Sequence, residues 1–318
     1  MKILVTGSAG HLGEALVRTL RQQNAPVVSV DRLASPFTDI VGSIADRAVV
    51  DECMQGVTQV LHAATLHKPH VATHRRQDFI DSNITGTLNL LEAATAHHVK
   101  AFVFTSTTST FGDALTPPPG APAAWITEDV TPIPKNIYGV TKTAAEDLCR
   151  LFHRNHQLPC LILRTSRFFP EEDDVAERAS AYDEANLKVN ELLYRRVDVE
   201  DVVSSHLLAM EKAPELGFGK FIITATTPFQ PGDAAQLGRD APAVLAKYFP
   251  EFPAIYAARG WKMLPTLDRV YVNARARQLL GWRPKYDFAH ALRCVAAGED
   301  YRSPITLLIG SKGYHRVA

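Results

Sequence analysis

The stretch "KILVTGSAGHLGEALVRTL" (residues 2–20) decides the fold. A short apolar run ends at Gly7, two more glycines follow at Gly10 and Gly13, and an amphipathic helical pattern begins at once. Glycines permit a tight turn and a close approach of backbone to a ligand, and the N-terminus of a helix attracts negative charge. The stretch therefore predicts a strand–turn–helix unit that binds the pyrophosphate of a dinucleotide, and the alternative is a glycine-rich turn that binds nothing.

Strand-like and helical patterns alternate along the first half of the chain. The strand-like runs are 2–7, 26–31, 59–64, 100–106 and 159–165, with a later one at 220–225, and the helical patterns are 11–23, 47–55, 77–98 and 138–156. The strand-like runs are almost continuously apolar, as expected for strands buried on both faces. Together these patterns predict an α/β fold with a doubly wound parallel sheet.

The pattern changes after residue 166. Residues 195–213 indicate a turn that enters a helix, whereas residues 228–318 mix short helices with loops. We expect residues 1–165 and about 195–227 to form a dinucleotide-binding domain. Residues 166–194 and about 228–318 are expected to form a smaller, mostly C-terminal lobe that binds the substrate.

The bulk composition excludes several classes of function. Lys plus Arg and Asp plus Glu number 34 each, so no net field attracts the chain to nucleic acid or to a membrane surface. No signal peptide is evident, and no apolar run approaches the roughly 20 residues of a membrane span. The four cysteines are widely spaced and form no metal-ligand pattern. We expect a cytoplasmic protein without a metal site.

Asp31 ends the second strand-like run, about 20 residues after the glycines, where a dinucleotide fingerprint places an acid. A carboxylate there accepts hydrogen bonds from a ribose 2′-hydroxyl and repels a 2′-phosphate, which favours NAD over NADP. Arg32 follows directly and offsets part of this preference. The alternative for Asp31 is an ordinary residue of a turn at the end of a strand.

Tyr138 and Lys142 lie four residues apart in "YGVTK" and share one face of a predicted helix. A nearby ammonium favours the phenolate, so we expect Lys142 to lower the tyrosine pKa from about 10 toward neutrality. Thr107 follows the fourth strand-like run and could hydrogen-bond a substrate oxygen. The Tyr/Lys spacing alone occurs by chance on many surface helices, and turn chemistry alone could explain Thr107.

These motifs in this order resemble the extended short-chain dehydrogenase/reductase family, in its NAD-dependent epimerase/dehydratase group. The resemblance rests on "TGSAGHLG" (6–13), Asp31, "HAA" (62–64), "NITGTLNLLEAA" (83–94), "STTSTFG" (106–112) and "YGVTK" (138–142), and weakly on "LGWRPKYDF" (280–288). It implies a Rossmann fold, NAD as cofactor and Thr107, Tyr138 and Lys142 as catalytic residues. Tyr138 would transfer the proton, Lys142 would bind the nicotinamide ribose, and Thr107 would orient the substrate oxygen.

The same resemblance implies a set of cofactor-binding residues. These are Gly7, Gly10, His11, Leu12 and Gly13 at the pyrophosphate, Asp31 and Arg32 at the adenosine ribose, Ser43 and Ile44 near adenine, Leu61, Ala63 and Ala64 along the wall, and Tyr138 and Lys142. The substrate-binding candidates are Thr107, Thr108 and Arg167.

The chain departs from the family pattern at three places. Ser43 replaces a common Asp, and Arg167 stands where many sugar-nucleotide enzymes have Asn. The span from Pro170 to the segment beginning at residue 195 is only about 25 residues, shorter than in those enzymes. Arg167 could hold a carboxylate or phosphate, or form an ion pair with Glu171, Glu172 or Asp173.

Two enzymatic interpretations stay open from the sequence. One is an NAD-dependent epimerase-type enzyme for a sugar or sugar nucleotide, and the other is a net dehydrogenase of a small acidic, uronate-type substrate. Dehydration is disfavoured because Thr108 and Ser109 replace the Asp-Glu pair that family dehydratases often carry. A non-catalytic NAD-binding sensor is the third alternative, and the helices at 83–98 and 138–156 could pair with their copies in a homodimer.

Overall fold

The computed structural model describes residues 2–170 and 180–313. The strands are β1 (Lys2–Thr6), β2 (Val27–Asp31), β3 (Ile40–Val41), β4 (Val57–His62), β5 (Ala101–Thr107), β6 (Ala124–Ile126), β7 (Cys160–Thr165), β8 (Phe218–Ile223) and β9 (Arg269–Tyr271). The helices are α1 (His11–Gln22), α2 (Arg47–Cys53), α3 (Arg76–Phe79), α4 (Gly86–Ala96), α5 (Ile137–His156), α6 (Glu184–Glu191), α7 (Val199–Leu216), α8 (Ala234–Leu237), α9 (Ala241–Tyr248), α10 (Phe252–Ala258), α11 (Ala274–Leu279), α12 (Phe288–Ala297) and α13 (Pro304–Ile309).

Seven of the described strands form one parallel sheet in the order β3-β2-β1-β4-β5-β7-β8. The order reverses between β1 and β4, and ligands of such sheets bind outside the carboxyl ends of the strands at that point. The register pairs Thr6 with His62 and Thr107 with Thr165, so the strand ends that carry the predicted site residues lie along one edge. The predicted doubly wound Rossmann fold is confirmed.

Both faces of this sheet are covered, which explains the continuous apolar strands. One face packs against α1 and α7 and presents Ile3, Val5, Leu61, Val103 and Leu161. The other face packs against α2, α4 and α5 and presents Leu4, Val60, Phe102, Phe104 and Ile162. Successive strand residues point to opposite faces, so both sets must be apolar.

The predicted strands begin and end within two residues of the observed ones, but the predicted helix over 77–98 is interrupted. A π-helical segment, Ile80–Thr85, separates α3 from α4. Asn83 lies in this segment, and its side chain bonds the backbone of Leu66 and the hydroxyl of Thr141. These long-range hydrogen bonds accompany the local departure from α-helical geometry, which is common at functional sites.

A third apolar cluster lies outside the seven-stranded sheet and includes residues of α6, α9, α10 and α12, among them Leu187, Leu245, Tyr256 and Phe288. Two later parts of the chain, Trp282 and α13, pack against the seven-stranded sheet domain rather than against this cluster. Trp282 is fully buried against the α1/α7 layer and donates to the Asp201 carbonyl at 3.0 Å. Helix α13 also contacts α1 and α7. The proposed division into a dinucleotide-binding domain and a substrate lobe stays a prediction.

None of the described helices combines the length and the apolar character that crossing a bilayer requires.

Candidate dinucleotide and catalytic site

A cleft of about 990 Å³ opens along the carboxyl ends of β1, β2, β4, β5 and β7. Most of the predicted site residues line it: Gly7, Gly10, His11, Leu12, Gly13, Asp31, Arg32, Ile44, Ala63, Ala64, Thr107, Thr108, Tyr138 and Arg167. The sheet thus brings together residues that are up to 160 positions apart in the chain (167 minus 7).

The glycine turn packs backbone directly on backbone. Gly7 has a φ of 77°, and a Cβ at this position would lie 2.7 Å from the backbone nitrogen of Ala64. A Cβ on Gly13 would lie 1.9 Å from the carbonyl oxygen of Gly7. Gly10 is the N-cap of α1, and a glycine has no side chain with which to cap this end of the helix. The uncapped helix N-terminus in the cleft therefore fits the pyrophosphate of a dinucleotide.

Asp31 ties the end of β2 to the glycine turn. Its carboxylate accepts from the Ala9 backbone N–H at 3.0 Å and from the Leu33 N–H at 2.9 Å. Asp31 lines the cleft, and Arg32 beside it is exposed at the same end. The carboxylate therefore closes a local turn and also stands in the position where the sequence places an adenosine ribose.

Three predicted residues do not reach the cleft surface. Ser43 turns its hydroxyl to the backbone N–H of Ala45, in the turn that precedes α2. Leu61 is fully buried in the α1/α7 layer because it points to that face of β4. Lys142 is 2% exposed and does not line the cleft itself, but its Nζ bonds the carbonyl of Thr105, which does. The adenine and wall roles implied for Ser43 and Leu61 can therefore fall only to their backbone.

Tyr138 stands in the first turn of α5, which begins where the Asn136 side chain accepts from the Gly139 N–H at 3.1 Å. Its side chain is 8% exposed and lines the cleft together with Thr107 at the end of β5. Burial raises the pKa of Tyr138 to about 12, although the nearby Thr107 side chain acts in the opposite direction. Two of the three predicted catalytic side chains therefore lie close together in the cleft.

Lys142 is the third predicted catalytic residue. Its Nζ donates to the Thr105 carbonyl at 2.5 Å and lies 3.9 Å from the centre of the Phe104 ring. Burial lowers the pKa of Lys142 to about 7, against smaller raising effects from Cys149 and Glu146. The prediction that Lys142 lowers the pKa of Tyr138 toward neutrality is wrong for the protein without ligands, because burial dominates both groups.

A family model described as the NAD dependent epimerase/dehydratase family matches residues 3–221. The chain belongs to this family. It is therefore an enzyme of the short-chain dehydrogenase/reductase type, with NAD as its cofactor. The glycine turn and the uncapped start of α1 agree with that cofactor.

Named relatives span nearly the whole chain. The UDP-glucose 4-epimerase of Halalkalibacterium halodurans is 26% identical over 325 aligned residues, which cover 90% of this chain and 91% of that protein. The dTDP-glucose 4,6-dehydratase of Streptomyces antibioticus is 27% identical over 341 residues, covering 92% and 90%. A short-chain dehydrogenase/reductase superfamily protein from Agrobacterium tumefaciens, solved with bound NAD, has a TM-score of 0.67 and 26% identity, covering 93% and 96%.

Two histidines lie at and just beyond the end of β4, and their environments differ. His62 is buried between the hydroxyls of Thr6, at 2.8 Å, and Thr87, at 2.9 Å, and burial holds its pKa well below 6.5. It is thus a structural group. His67 lines the cleft, and its ring stacks on that of Phe169 with 4.9 Å between centroids. Among the described residues, no three His, Cys, Asp or Glu side chains form a group suited to a metal ion.

Arg167 belongs to a cluster that the sequence did not reveal. The buried carboxylate of Glu191 lies 3.7 Å from Arg167, 2.5 Å from Arg195 and 2.8 Å from Arg196. These arginines lower the pKa of Glu191 despite its burial. Arg167 and Arg195 both line the cleft. The partners considered from the sequence, Glu171, Glu172 and Asp173, lie outside the described residues.

The close packing of the glycine turn gives a direct test. We expect Gly13→Ala to abolish NAD binding, because the added Cβ would displace the Gly7 carbonyl and open the turn. Gly232→Ala is the matched control, since its Cβ would meet nothing within 4 Å. The measurement is an NAD titration by calorimetry with circular dichroism of each variant. Retention of full affinity in Gly13→Ala would show that the turn does not hold the cofactor.

Proposed function

We propose that this chain transfers hydride between NAD and a hydroxyl-bearing carbon of a sugar or sugar nucleotide, as the opening step of an epimerase-type reaction. The proximity of Tyr138 and Thr107 in the glycine-lined cleft carries the proposal. A phenol and a hydroxyl that line the same cleft can meet one substrate oxygen, which supports proton transfer by the first and orientation by the second. The family membership and the named relatives support the same reaction class.

Each residue has a role in this proposal. Tyr138 accepts the proton of the substrate hydroxyl, Thr107 and Thr108 orient the oxygen, and Lys142 binds the nicotinamide ribose. Gly7, Gly10, His11, Leu12, Gly13, Asp31, Arg32, Ile44, Ala63 and Ala64 hold the rest of the dinucleotide, with the backbone at Ser43 and Leu61. Bound NAD supplies the hydride acceptor and a positive charge.

Burial makes the phenolate of Tyr138 and the ammonium of Lys142 each unfavourable alone, but the two charges can stabilise each other. Raising the pKa of Tyr138 from 10.0 to about 12 corresponds to roughly 3 kcal/mol against the phenolate. Opposite charges attract more strongly in a site of low dielectric constant than in water. A protonated Lys142 therefore favours the phenolate, and proton transfer to Tyr138 depends on it.

Removing the phenol oxygen tests this mechanism. We expect Tyr138→Phe to reduce turnover by about a thousandfold, since general acid–base catalysis contributes roughly 10² to 10⁴, and to leave NAD affinity nearly unchanged. The protein is incubated with NAD and with UDP-sugars, free sugars and uronates while absorbance at 340 nm and sugar products are followed.

The control is Tyr248→Phe, which deletes an exposed hydroxyl that bonds Asp233. Sugar interconversion without net NADH supports the epimerase-type reaction, and net NADH with an oxidised sugar supports the dehydrogenase. Undiminished turnover in Tyr138→Phe would end the assigned mechanism, and NAD binding without turnover on any substrate would favour the sensor.

A small acidic substrate of the uronate type is the second candidate, and the arginine cluster favours it. Arg167 and Arg195 line the cleft while Glu191 fixes their guanidiniums from behind. A fixed guanidinium recognises a carboxylate through two parallel hydrogen bonds. The only acidic residue that lines the described cleft is Asp31, at the adenosine end.

The two candidates respond differently to loss of the arginine. For an acidic substrate, we expect Arg167→Gln to lower kcat/KM by about a hundredfold, equivalent to roughly 2–3 kcal/mol of a charged hydrogen bond. The control Arg239→Gln removes an exposed arginine whose side chain donates to the Gly120 carbonyl on the surface. The measurement compares a uronate with its uncharged sugar. Equal losses for both sugars would contradict carboxylate recognition.

We propose that the chain forms a homodimer in the cytoplasm through helices α4 and α5. Val140 and Leu151 on α5 are 47% and 38% exposed, and these two apolar side chains on one helix support an interface there. Leu151→Asp is expected to yield monomers in sedimentation velocity, because it buries a charge at the interface. Leu279→Asp, at a 46% exposed position on α11, is the control. A wild-type monomer, or a dimer unchanged by Leu151→Asp, would contradict the proposal.

A further inference from the structure

His206 is a fully buried histidine that lies on the opposite side of the sheet from the catalytic helix. It belongs to α7, and its Nδ1 lies 2.8 Å from the Val202 carbonyl. Since a carbonyl only accepts, Nδ1 carries the proton and Nε2 is the acceptor. Burial lowers the pKa of His206 to about 4, so the ring is neutral at ordinary pH.

Thr105 connects this imidazole to the catalytic lysine. The Thr105 hydroxyl lies 2.8 Å from Nε2 of His206, so the tautomer makes the hydroxyl the donor. The carbonyl of the same residue accepts from Nζ of Lys142 at 2.5 Å. The ladder between β4 and β5 ends one residue earlier, at the pair His62–Phe104. Thr105 therefore lies just beyond the last residue of β5 that pairs with β4.

We propose that His206 is a positioning residue for Lys142, acting through Thr105. The imidazole fixes the Thr105 side chain from the α7 side, and this fixes the end of β5 on which both the lysine-binding carbonyl and Thr107 stand. The inference rests on the proposed role of Lys142 at the nicotinamide ribose. His206 itself is fully buried and does not line the cleft.

The charged form of Lys142 depends on the position of the Thr105 carbonyl. The ionisable groups that act on it are His62 from β4 and Cys149 and Glu146 from α5 itself. The Glu146 carboxylate is already bonded by Arg164 and Lys220. The carbonyl of Thr105 is therefore the hydrogen-bond acceptor that stabilises the ammonium, and its loss disfavours the protonated form.

The test uses variants that remove one link each. Thr105→Val deletes the hydroxyl with little change in shape, His206→Phe deletes the acceptor, and Thr105→Ser keeps the hydroxyl as a rescue. Tyr256→Phe is the matched control, because it removes a buried hydroxyl that bonds Asn190 at 2.9 Å in the apolar cluster outside the sheet. Thermal unfolding of each variant accompanies the binding measurements.

The readout is the NAD dissociation constant from pH 6 to 10, measured by calorimetry, which needs no turnover. We expect affinity to fall as Lys142 deprotonates, and we expect Thr105→Val and His206→Phe to move this midpoint to lower pH. At pH 7.5 each should weaken NAD about threefold or more, and the double variant should be no weaker than either alone, as for two members of one chain of contacts.

Thr105→Ser should restore the wild-type midpoint, and Tyr256→Phe should change only the thermal stability. A midpoint that Thr105→Val leaves in place, or that Tyr256→Phe moves equally, would overturn the inference. Additive effects in the double variant would also overturn it. Absence of sugar turnover with these NAD results intact would instead refute the proposed reaction and leave the positioning role standing.

Discussion

The chemistry proposed for this fold depends on one buried ammonium. Lys142 is buried beside the cleft, where its ammonium contacts the Thr105 carbonyl and the face of the Phe104 ring. Burial disfavours its charge and that of the Tyr138 phenolate alike, which lowers one pKa and raises the other. In a buried site of low dielectric constant, opposite charges attract each other strongly. The Tyr138 phenolate and the Lys142 ammonium can therefore form together, although burial disfavours either charge alone.

The parallel sheet supplies the geometry for this pairing. Its strand order reverses between β1 and β4, where the glycine turn, the end of β4 and the hydroxyls after β5 converge. Asn83 adds a second constraint, because it bonds both the loop at Leu66 and Thr141 of the catalytic helix. The same amide therefore positions one cleft wall and α5 relative to each other.

Local patterns predicted much of this arrangement, and burial accounts for what they missed. The glycine spacing, Asp31 and the i, i+4 relation of Tyr138 and Lys142 are readable because each depends on residues close in sequence. The predicted direction of the Tyr138 pKa shift was wrong because the spacing of two residues in the sequence does not show how deeply they are buried. The Glu191 cluster and the His206 contact join elements up to about 100 positions apart (206 minus 105), and no local pattern encodes them. The helical pattern over residues 77–98 likewise gave no sign of the π-helical segment around Asn83.

The most direct measurement is the titration of Lys142 in the cofactor-free protein. Lysine side chains labelled with ¹³C are followed by NMR from pH 5 to 11, and Lys142→Met identifies the resonance. Burial without a directly bonded carboxylate predicts a midpoint near the value of about 7 that the fold imposes. A midpoint close to the ordinary lysine value, about 10.4, would mean that water or a carboxylate reaches the ammonium. That result would contradict the electrostatic coupling from which the proton-transfer role of Tyr138 is argued.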